Sequence, residues 1–270
     1  MTKPINKRVA IVTGGGRGIG LSIAKSLTMG GVGVVIADAG VSIDGTDPDP
    51  SVAQTAASEI GGAAIAFSES ITTPSAAEAL VDYANKSFGR IDIVVNNAAI
   101  SNQEAFGDAS TETIMRIMSL NMTAVARLTH HFLPDMIKRR SGRILNVASL
   151  ASFHPMPSMD LYAATKAFVL SMTESLAENL KGTGVSITAL CPGLTDTDAL
   201  NRRIAGSLPP FLIAQAEQVA NEGFDALMSQ QVIRIPGESN KLATIWAQHQ
   251  PRWLIRSLGG LVSKLSVNVD

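Results

Sequence analysis

The feature that most constrains this chain is a short apolar run that leads directly into a glycine-rich turn and then into a helical segment. Residues 8–13, Arg-Val-Ala-Ile-Val-Thr, show little polar alternation, which predicts a strand buried on both faces of a parallel sheet. The glycines Gly14, Gly18 and Gly20 follow at once, and a helical segment covers 21–29. Glycines let the backbone approach a diphosphate, and the helix N-terminus offers free N–H groups. This order favours a phosphate-binding loop over a plain tight turn but does not identify the nucleotide.

The strand–helix alternation continues beyond this unit. Further strands are predicted over 33–38, 63–67, 91–96, 143–148, 185–190 and 232–235, with helices over 52–60, 75–88 and 110–132. This pattern predicts the α/β class, as a doubly wound parallel sheet of Rossmann type with its ligand crevice at the carboxyl ends of the strands. The segment 40–51, rich in Asp, Gly and Pro, reads as a long surface loop. A length of 270 residues fits a single domain.

The second predicted strand ends in an acid, Asp38. A carboxylate there can accept both hydroxyls of an adenosine ribose and would repel a 2′-phosphate. Arg17 in the glycine loop is the opposing signal, since an arginine there could bind that phosphate. Ala39 and Gly40, rather than a basic residue, follow Asp38. We therefore expect NAD rather than NADP, with a solvated strand end as the alternative interpretation of Asp38.

A tyrosine and a lysine, Tyr162 and Lys166, stand four residues apart near the start of a predicted helix. This spacing places them on one face, one turn from each other. A free phenol has a pKa of about 10, and a neighbouring ammonium group lowers it, which suits the phenol to proton transfer. Alone the pair is weak, because most such pairs are a surface lysine beside a half-buried tyrosine. Ser149, at the end of the strand over 143–148, adds a hydroxyl group nearby.

Composition excludes several classes of function. The net charge of −1 shows no basic bias of the kind that nucleic-acid binding requires. The one cysteine, Cys191, rules out an internal disulfide framework and is read as a small buried thiol rather than a nucleophile. His130, His131, His154 and His249 lack zinc spacing, so no metal site is expected. No signal peptide or spanning helix is predicted, and a cytoplasmic location is the default.

Taken together, the motifs resemble those of the short-chain dehydrogenase/reductase family. The match runs from about Arg8 to Thr197 and consists of Thr13-Gly14-x-x-x-Gly18-x-Gly20, Asn96-Asn97-Ala98-Ala99, Asn121, Ser149, Tyr162-x-x-x-Lys166 and Pro192-Gly193. The resemblance implies one Rossmann-type domain, a nicotinamide cofactor, and oxidation of an alcohol or reduction of a carbonyl. Two positions depart from the family pattern. Ala99 replaces a glycine, and Ser70 stands where the family often has an acid that contacts the adenine, a contact that the backbone of Ile71 could still make.

Residue roles follow from matching positions to the family. Tyr162 resembles the general acid/base, and Lys166 the residue that lowers its pKa and binds the nicotinamide ribose. Ser149 would donate to the substrate oxygen, and Asn121 would hold a water in a proton relay, although a tolerated polar residue in mid-helix is its plainer interpretation. The cofactor contacts implied are Gly14, Arg17, Gly18, Ile19, Gly20, Asp38, Ser70, Ile71, Asn97, Ala98, Tyr162, Lys166, Pro192, Gly193, Thr195 and Thr197.

After Thr197 the resemblance thins. Residues 198–230 are expected to cover the substrate and 236–270 to form a C-terminal extension. The stretch 251–265 is basic and amphipathic. Contact with a membrane surface or an acyl-carrying substrate is less favoured for it than a subunit contact or a packed helix. His154, between Ser149 and Tyr162, is a loop histidine that either touches substrate or faces solvent.

The expected function is hydride transfer between NAD(H) and a small-molecule secondary alcohol or ketone. The enzyme alternative is an NADP-dependent ketoreductase of hydroxyacyl or other hydrophobic substrates. The non-enzyme alternative is a dinucleotide-binding sensor without turnover, against which Ser149, Tyr162 and Lys166 argue. Family resemblance also implies a homodimer or homotetramer.

Overall fold

The computed structural model describes residues 8–101, 105–157, 159–198, 200 and 213–267. The strands are β1 Val9–Thr13, β2 Gly33–Ala37, β3 Ala64–Phe67, β4 Ile93–Asn96, β5 Gly142–Val147, β6 Val185–Leu190, β7 Thr195–Asp196, β8 Ala214–Gln215 and β9 Ile233–Arg234. The α-helices are α1 Gly18–Met29, α2 Ser51–Ile60, α3 Pro74–Phe88, α4 Thr111–Met118, α5 Val125–Lys138, α6 Asp160–Asn179, α7 Ala216–Met228, α8 Glu238–Gln248 and α9 Arg252–Val267.

Seven of these strands form one sheet in the order β3-β2-β1-β4-β5-β6-β9, and every neighbouring pair is parallel. The chain runs outward from β1 to β3, returns to β4 on the other side of β1, and continues outward again. The strand order therefore reverses between β1 and β4, and a ligand crevice forms at the carboxyl ends there. The doubly wound parallel sheet predicted from the sequence is confirmed.

The sheet is covered on both faces, which explains why its strands lack polar alternation. Successive side chains of β1 point to opposite faces, so Ile11 packs with α3, α4 and α5, whereas Val12 packs with α1, α2 and α7. All five residues of β1 and of β2 are buried. The two hydrophobic layers hold β1 rigidly, and with it the start of the glycine loop.

The predicted helix over 110–132 is interrupted. Residues Ser119–Ala124 form a π-helical segment between α4 and α5, and Asn121 lies buried at its centre. A π-helical turn contains an additional residue and occurs frequently at functional sites. Side-chain hydrogen bonds of Asn121 that leave the helix, described below, accompany this interruption.

Of the region after Thr197, the structure describes α7, which packs on the sheet, and α9, which lies beside the loop after β5. Residues 199 and 201–212, which fall in the segment expected to cover the substrate, lie outside the described residues. Helix α7, from the same segment, buries Val219, Ala220 and Leu227 against α1 and the sheet. Helix α9 passes the loop after β5, because a Cβ at Gly259 would lie 3.1 Å from Pro157 Cδ. Within the described residues, no helix is long and apolar enough to cross a membrane.

Candidate active site

The glycine loop after β1 is clamped by the loop after β4. The Asn97 side-chain amide donates to the carbonyl oxygens of Thr13 at 3.0 Å and Gly14 at 2.9 Å. The Thr13 hydroxyl accepts from the backbone N–H groups of Asn97 at 3.0 Å and Ala98 at 3.1 Å. Asn97 is thus a positioning residue for the loop, which is a more specific role than the cofactor contact expected from the resemblance.

Glycine is required in this loop for steric reasons. A Cβ at Gly20 would lie 2.0 Å from the Gly14 carbonyl oxygen, and a Cβ at Gly14, whose φ is +61°, would lie 2.8 Å from Ala98 Cα. The turn folds back so closely that no side chain fits between its first glycine and the helix start. Helix α1 begins at Gly18 with no side-chain cap, so its first N–H groups face the crevice unpaired by a capping side chain. Ile19, next in α1, is half-buried.

The Asp38 carboxylate accepts hydrogen bonds from the backbone of the glycine loop and from the backbone just after β2. Its Oδ2 accepts from the Gly16 N–H at 2.8 Å, and its Oδ1 accepts from the Gly40 N–H at 2.8 Å. Each carboxylate oxygen has a second lone pair, so Asp38 retains acceptors for a ribose hydroxyl. The structure places this carboxylate beside the glycine loop, as its position at the end of β2 predicts.

The remaining residues expected near the adenosine differ in exposure. Arg17 is exposed, and its Nη2 donates to the Val41 carbonyl oxygen at 2.8 Å. Ser70 is exposed and pairs with the hydroxyl of Thr72 at 3.0 Å. The Ile71 side chain is buried in the core, which leaves only its backbone for a ligand.

The loop after β6 closes the other end of the crevice. A Cβ at Gly18 would lie 3.0 Å from Thr197 Cγ2, so the two loops are in contact. The Thr195 hydroxyl donates to the Gly193 carbonyl oxygen at 3.1 Å, and the Pro192 carbonyl oxygen accepts from the Leu150 N–H at 2.8 Å. The first bond lies within the loop after β6, and the second joins the Pro192–Gly193 turn to the loop that carries Ser149.

Ser149 lies where β5 gives way to a single 3₁₀ turn, Leu150–Ser152. Its hydroxyl accepts from the Ala151 N–H at 3.1 Å, and its own N–H donates to the Ser152 hydroxyl at 3.2 Å. This reciprocal cap fixes the backbone of the turn. The Ser149 hydroxyl keeps its proton for another acceptor, and it interacts with the phenol of Tyr162.

Tyr162 and Lys166 lie on the same face of α6, as their spacing predicts, with the Lys166 ammonium 5.7 Å from the centre of the Tyr162 ring. Lys166 is buried, and its Nζ donates to the Val147 carbonyl oxygen of β5 at 2.7 Å. Burial lowers the pKa of Lys166 to about 8, while the nearby Cys191 opposes that shift. The lysine is therefore anchored to the strand that carries Ser149.

The expected lowering of the Tyr162 pKa is not what the structure shows. Burial raises the pKa of the Tyr162 phenol above its ordinary value, and only the interaction with the Ser149 hydroxyl lowers it. The ammonium of Lys166 sits against the ring and bonds Val147 rather than the phenol oxygen. Removal of the phenol from water is the larger of the two effects on its pKa.

The Asn121 side chain connects the π-helical segment to the loop after β4 and to α6. It bonds both polar backbone groups of Ile100, and its Nδ2 donates to the Thr165 hydroxyl at 3.2 Å. The Thr165 hydroxyl donates to the Tyr162 carbonyl oxygen at 2.8 Å. Asn121 thus positions the turn of α6 that carries Tyr162 and Lys166, and its part in a water relay stays a prediction.

Two residues of the site are not among those that the sequence singles out for it, Thr165 and, through its carbonyl oxygen, Val147, whereas Thr13 is part of the glycine motif but has no role assigned from the sequence. Thr13 stands at the end of a strand immediately before the glycine turn, and this position is a usable signal. Thr165 lies between Tyr162 and Lys166 in sequence, but nothing in its neighbourhood shows that it faces Asn121, which is distant along the chain.

Two further side chains near the site, Cys191 and His154, have no assigned part in the chemistry. Cys191 is fully buried, and burial raises its thiol pKa to about 12, which agrees with the inert thiol expected from the sequence. His154 is half-buried beside Phe153, with its pKa lowered by burial and by the charge of Arg252.

The fold and this site define a Rossmann-type oxidoreductase that works with a nicotinamide dinucleotide. The chain belongs to the short-chain dehydrogenase family: the model of that family, described as short chain dehydrogenase, matches residues 8–206. The motifs imply this family by resemblance, and the match confirms it.

Similar proteins act on different substrates. The chain is 32% identical over 237 residues to a ketoacyl reductase, HetN, of a Nostoc species, covering 84% of this chain and 80% of that protein. It is 35% identical over 193 residues to a galactitol 2-dehydrogenase of Agrobacterium fabrum, covering 71% and 72%. A crystal structure of a 3-ketoacyl-(acyl-carrier-protein) reductase from Brucella melitensis with NADH superposes with a TM-score of 0.75 at 29% identity, covering 84% of this chain and 94% of the other.

Proposed function

We propose that the protein is an NAD-dependent short-chain alcohol dehydrogenase or carbonyl reductase that interconverts a secondary alcohol and a ketone. The observation that carries this proposal is the convergence of the Ser149 hydroxyl, the Tyr162 phenol and the Lys166 ammonium at one end of the crevice. A protein that only bound a dinucleotide would gain nothing from a buried lysine beside a phenol.

The crevice fits a dinucleotide because its glycine loop excludes side chains where a diphosphate would lie, and α1 presents free N–H groups there. When bound, the nicotinamide accepts or supplies a hydride. In oxidation, the Tyr162 oxygen takes the hydroxyl proton of the alcohol, and in reduction it returns that proton to the carbonyl oxygen. The Ser149 hydroxyl donates to the same substrate oxygen and stabilises the negative charge that develops on it. Lys166 keeps a positive charge beside the Tyr162 ring and offers its remaining N–H bonds to the nicotinamide ribose.

For the cofactor, the proposal is NAD. The carboxylate of Asp38 lies beside the glycine loop, where an adenosine 2′-phosphate would meet a like charge. The solved relative from Brucella melitensis contains NADH. The second candidate is an NADP-dependent ketoreductase for hydroxyacyl or other hydrophobic substrates, which the names of the similar ketoacyl reductases and the exposed Arg17 favour.

Substrate access and assembly are further parts of the proposal. Residues 198–230 would cover a small-molecule substrate, and 236–270 would add a C-terminal extension, with α9 beside the loop that follows Ser149. We expect a cytoplasmic homodimer or homotetramer that binds neither nucleic acid nor, in its ordinary function, a membrane.

The decisive experiment follows nicotinamide absorbance with a panel of secondary alcohols and ketones and with both cofactors. Tyr162→Phe should lower turnover by about 10²–10⁴-fold while cofactor affinity stays unchanged, because only the proton donor is lost. The other tyrosine of the chain, Tyr83, lies on α3 with its ring against Phe67 and is not among the residues assigned to the cofactor or the substrate, so Tyr83→Phe is the matched control. Cofactor binding without turnover of any alcohol or ketone would support the sensor alternative instead.

A further inference from the structure

The segment 40–50 extends well beyond a simple connection between β2 and α2. It leaves the end of β2, and the Ile43 carbonyl oxygen accepts from the Ser101 N–H, after β4, at 2.9 Å. Both β2 and β4 are neighbours of β1 in the sheet, so their ends lie about 10 Å apart. The segment therefore crosses the carboxyl end of β1, where the glycine loop begins.

Packing of Gly45 against residues that follow β4 holds the segment in this position. Gly45, with φ at +84°, lies so close to its neighbours that a Cβ there would be 2.8 Å from Ile100 Cδ1 and 3.1 Å from Arg116 Cδ. A tight turn supports the approach: the Ser42 N–H donates to the Thr46 carbonyl oxygen at 2.8 Å, and the Asp44 carboxylate accepts from the Thr46 N–H at 3.1 Å. Bonds from the Ser42 and Thr46 hydroxyls lower the pKa of Asp44 to about 2.

Contacts at the near end involve the glycine loop itself. Arg17 Nη2 donates to the Val41 carbonyl oxygen at 2.8 Å. The charge of Arg17 also lowers the pKa of Asp49, after the larger effect of hydrogen bonds from Ser51. The guanidinium group is thus hydrogen-bonded to the start of the segment and attracts the carboxylate near its end, and Asp38 holds the first residue of the segment by accepting from the Gly40 N–H at 2.8 Å.

We propose that residues 40–50 form a strap that closes over the adenosine half of the bound dinucleotide, with Arg17 as a positioning residue that latches it. This inference rests on the proposed dinucleotide binding and adds a residue role to it. Arg17 then contributes to holding either cofactor, rather than selecting NADP by binding a 2′-phosphate. The strap slows release of the cofactor, because it must lift from Ile100 and Arg116 before the adenosine can leave.

The test measures dissociation of NADH and NADPH by stopped-flow fluorescence. Gly45→Ala should unseat the strap and raise the dissociation rate of both cofactors about tenfold, with association rates changed less. Gly62→Ala is the matched control, since Gly62 is exposed and a Cβ there would have no heavy atom within 4 Å. A dissociation rate for Gly45→Ala within twofold of that control overturns the strap.

Arg17→Met separates the two roles of the arginine. A latch predicts that NADH and NADPH affinities fall by the same factor, about tenfold or less. A 2′-phosphate ligand predicts that only NADPH affinity falls, and that result overturns the assignment of Arg17.

A measurement on the unmodified protein keeps the strap testable if Gly45→Ala does not fold. Backbone amides of residues 41–46 should exchange hydrogen at least about fivefold more slowly once NADH is bound, and an unchanged exchange rate overturns the proposal. If NADH does not bind the unmodified protein at all, the proposed function fails. If NADH binds and the strap amides do not respond, only the strap fails.

Discussion

The side chain of Asn121 satisfies both polar backbone groups of Ile100. Its Oδ1 accepts from the Ile100 N–H at 3.0 Å, and its Nδ2 donates to the Ile100 carbonyl oxygen at 2.8 Å. Both residues are buried, so neither backbone group of Ile100 has water as a substitute partner. One amide thereby joins the π-helical segment to the loop after β4, and a third bond to Thr165 joins it to α6.

Asn121→Ala should lower the free energy of unfolding by about 2–4 kcal/mol, because it leaves the buried N–H and carbonyl of Ile100 unpaired. Urea unfolding followed by circular dichroism measures the change. Asn85→Ala, at an exposed position of α3, is the control and should cost less than about 0.5 kcal/mol. Equal losses for the two variants would show that the Ile100 bonds contribute nothing.

Asn97→Ala should weaken binding of NADH and NADPH alike by about tenfold, because it removes the amide that holds the carbonyl oxygens of Thr13 and Gly14. Fluorescence titration measures both affinities, again with Asn85→Ala as control. If the variant binds both cofactors as the unmodified protein does, the glycine loop keeps its shape without the clamp.

Asp38→Ala should raise the NADPH-to-NADH affinity ratio by about tenfold or more, because the like charge facing a 2′-phosphate is removed. The same change should cost about 1–2 kcal/mol of stability, since the Gly16 and Gly40 N–H groups lose their acceptor. Asp82→Ala, exposed on α3, controls for the loss of one charge. Tighter binding of NADPH than NADH by the unmodified protein would contradict the assignment of Asp38.

Lys166 should make the stability of the protein rise with pH in the alkaline range. Its pKa is about 8 in the folded protein against 10.5 as the ordinary value, so between these values the unfolded chain binds more protons. The destabilisation from burying the charge is complete below about pH 8 and is relieved as pH rises toward 10.5. Relative to Lys166→Met, the unmodified protein should gain about 2 kcal/mol between pH 7 and pH 10. Urea unfolding of both proteins at both pH values measures the difference in their free energies of unfolding. A difference that does not change with pH would contradict the prediction.

Much of the fold is predictable because its elements are encoded locally. The run of apolar residues in β1, the glycines after it and the Tyr162–Lys166 spacing each depend on neighbours within a few positions. The predicted strand over 91–96 is observed from Ile93, and the last strand predicted near 232–235 is observed as Ile233–Arg234. Alternation predicts a parallel sheet, and the glycine turn after the first strand favours the doubly wound order.

The rest depends on contacts between distant residues. The interruption of the helix over 110–132 accompanies bonds from Asn121 to Ile100 and Thr165, which no local pattern contains. Helical spacing places Lys166 one turn from Tyr162, but burial, which decides the direction of the Tyr162 pKa shift, is a property of the folded chain. The loop 40–51 is recognisable from its composition, whereas its reach to Ser101 and Arg116 is not.

The π-helical segment Ser119–Ala124 also lets the helix hold one additional residue without changing the face that α5 turns to the core. Deleting one residue within 119–124 would restore a regular helix and leave Leu128, Phe132 and Met136 buried, at the expense of the bulge that carries Asn121. Deleting one residue near the start of α5 has no wide turn to absorb it and would rotate the rest of that helix by about 100°. Single-codon deletions should therefore destabilise the protein more within Val125–Lys138 than within Ser119–Ala124, although both remove the same length of chain.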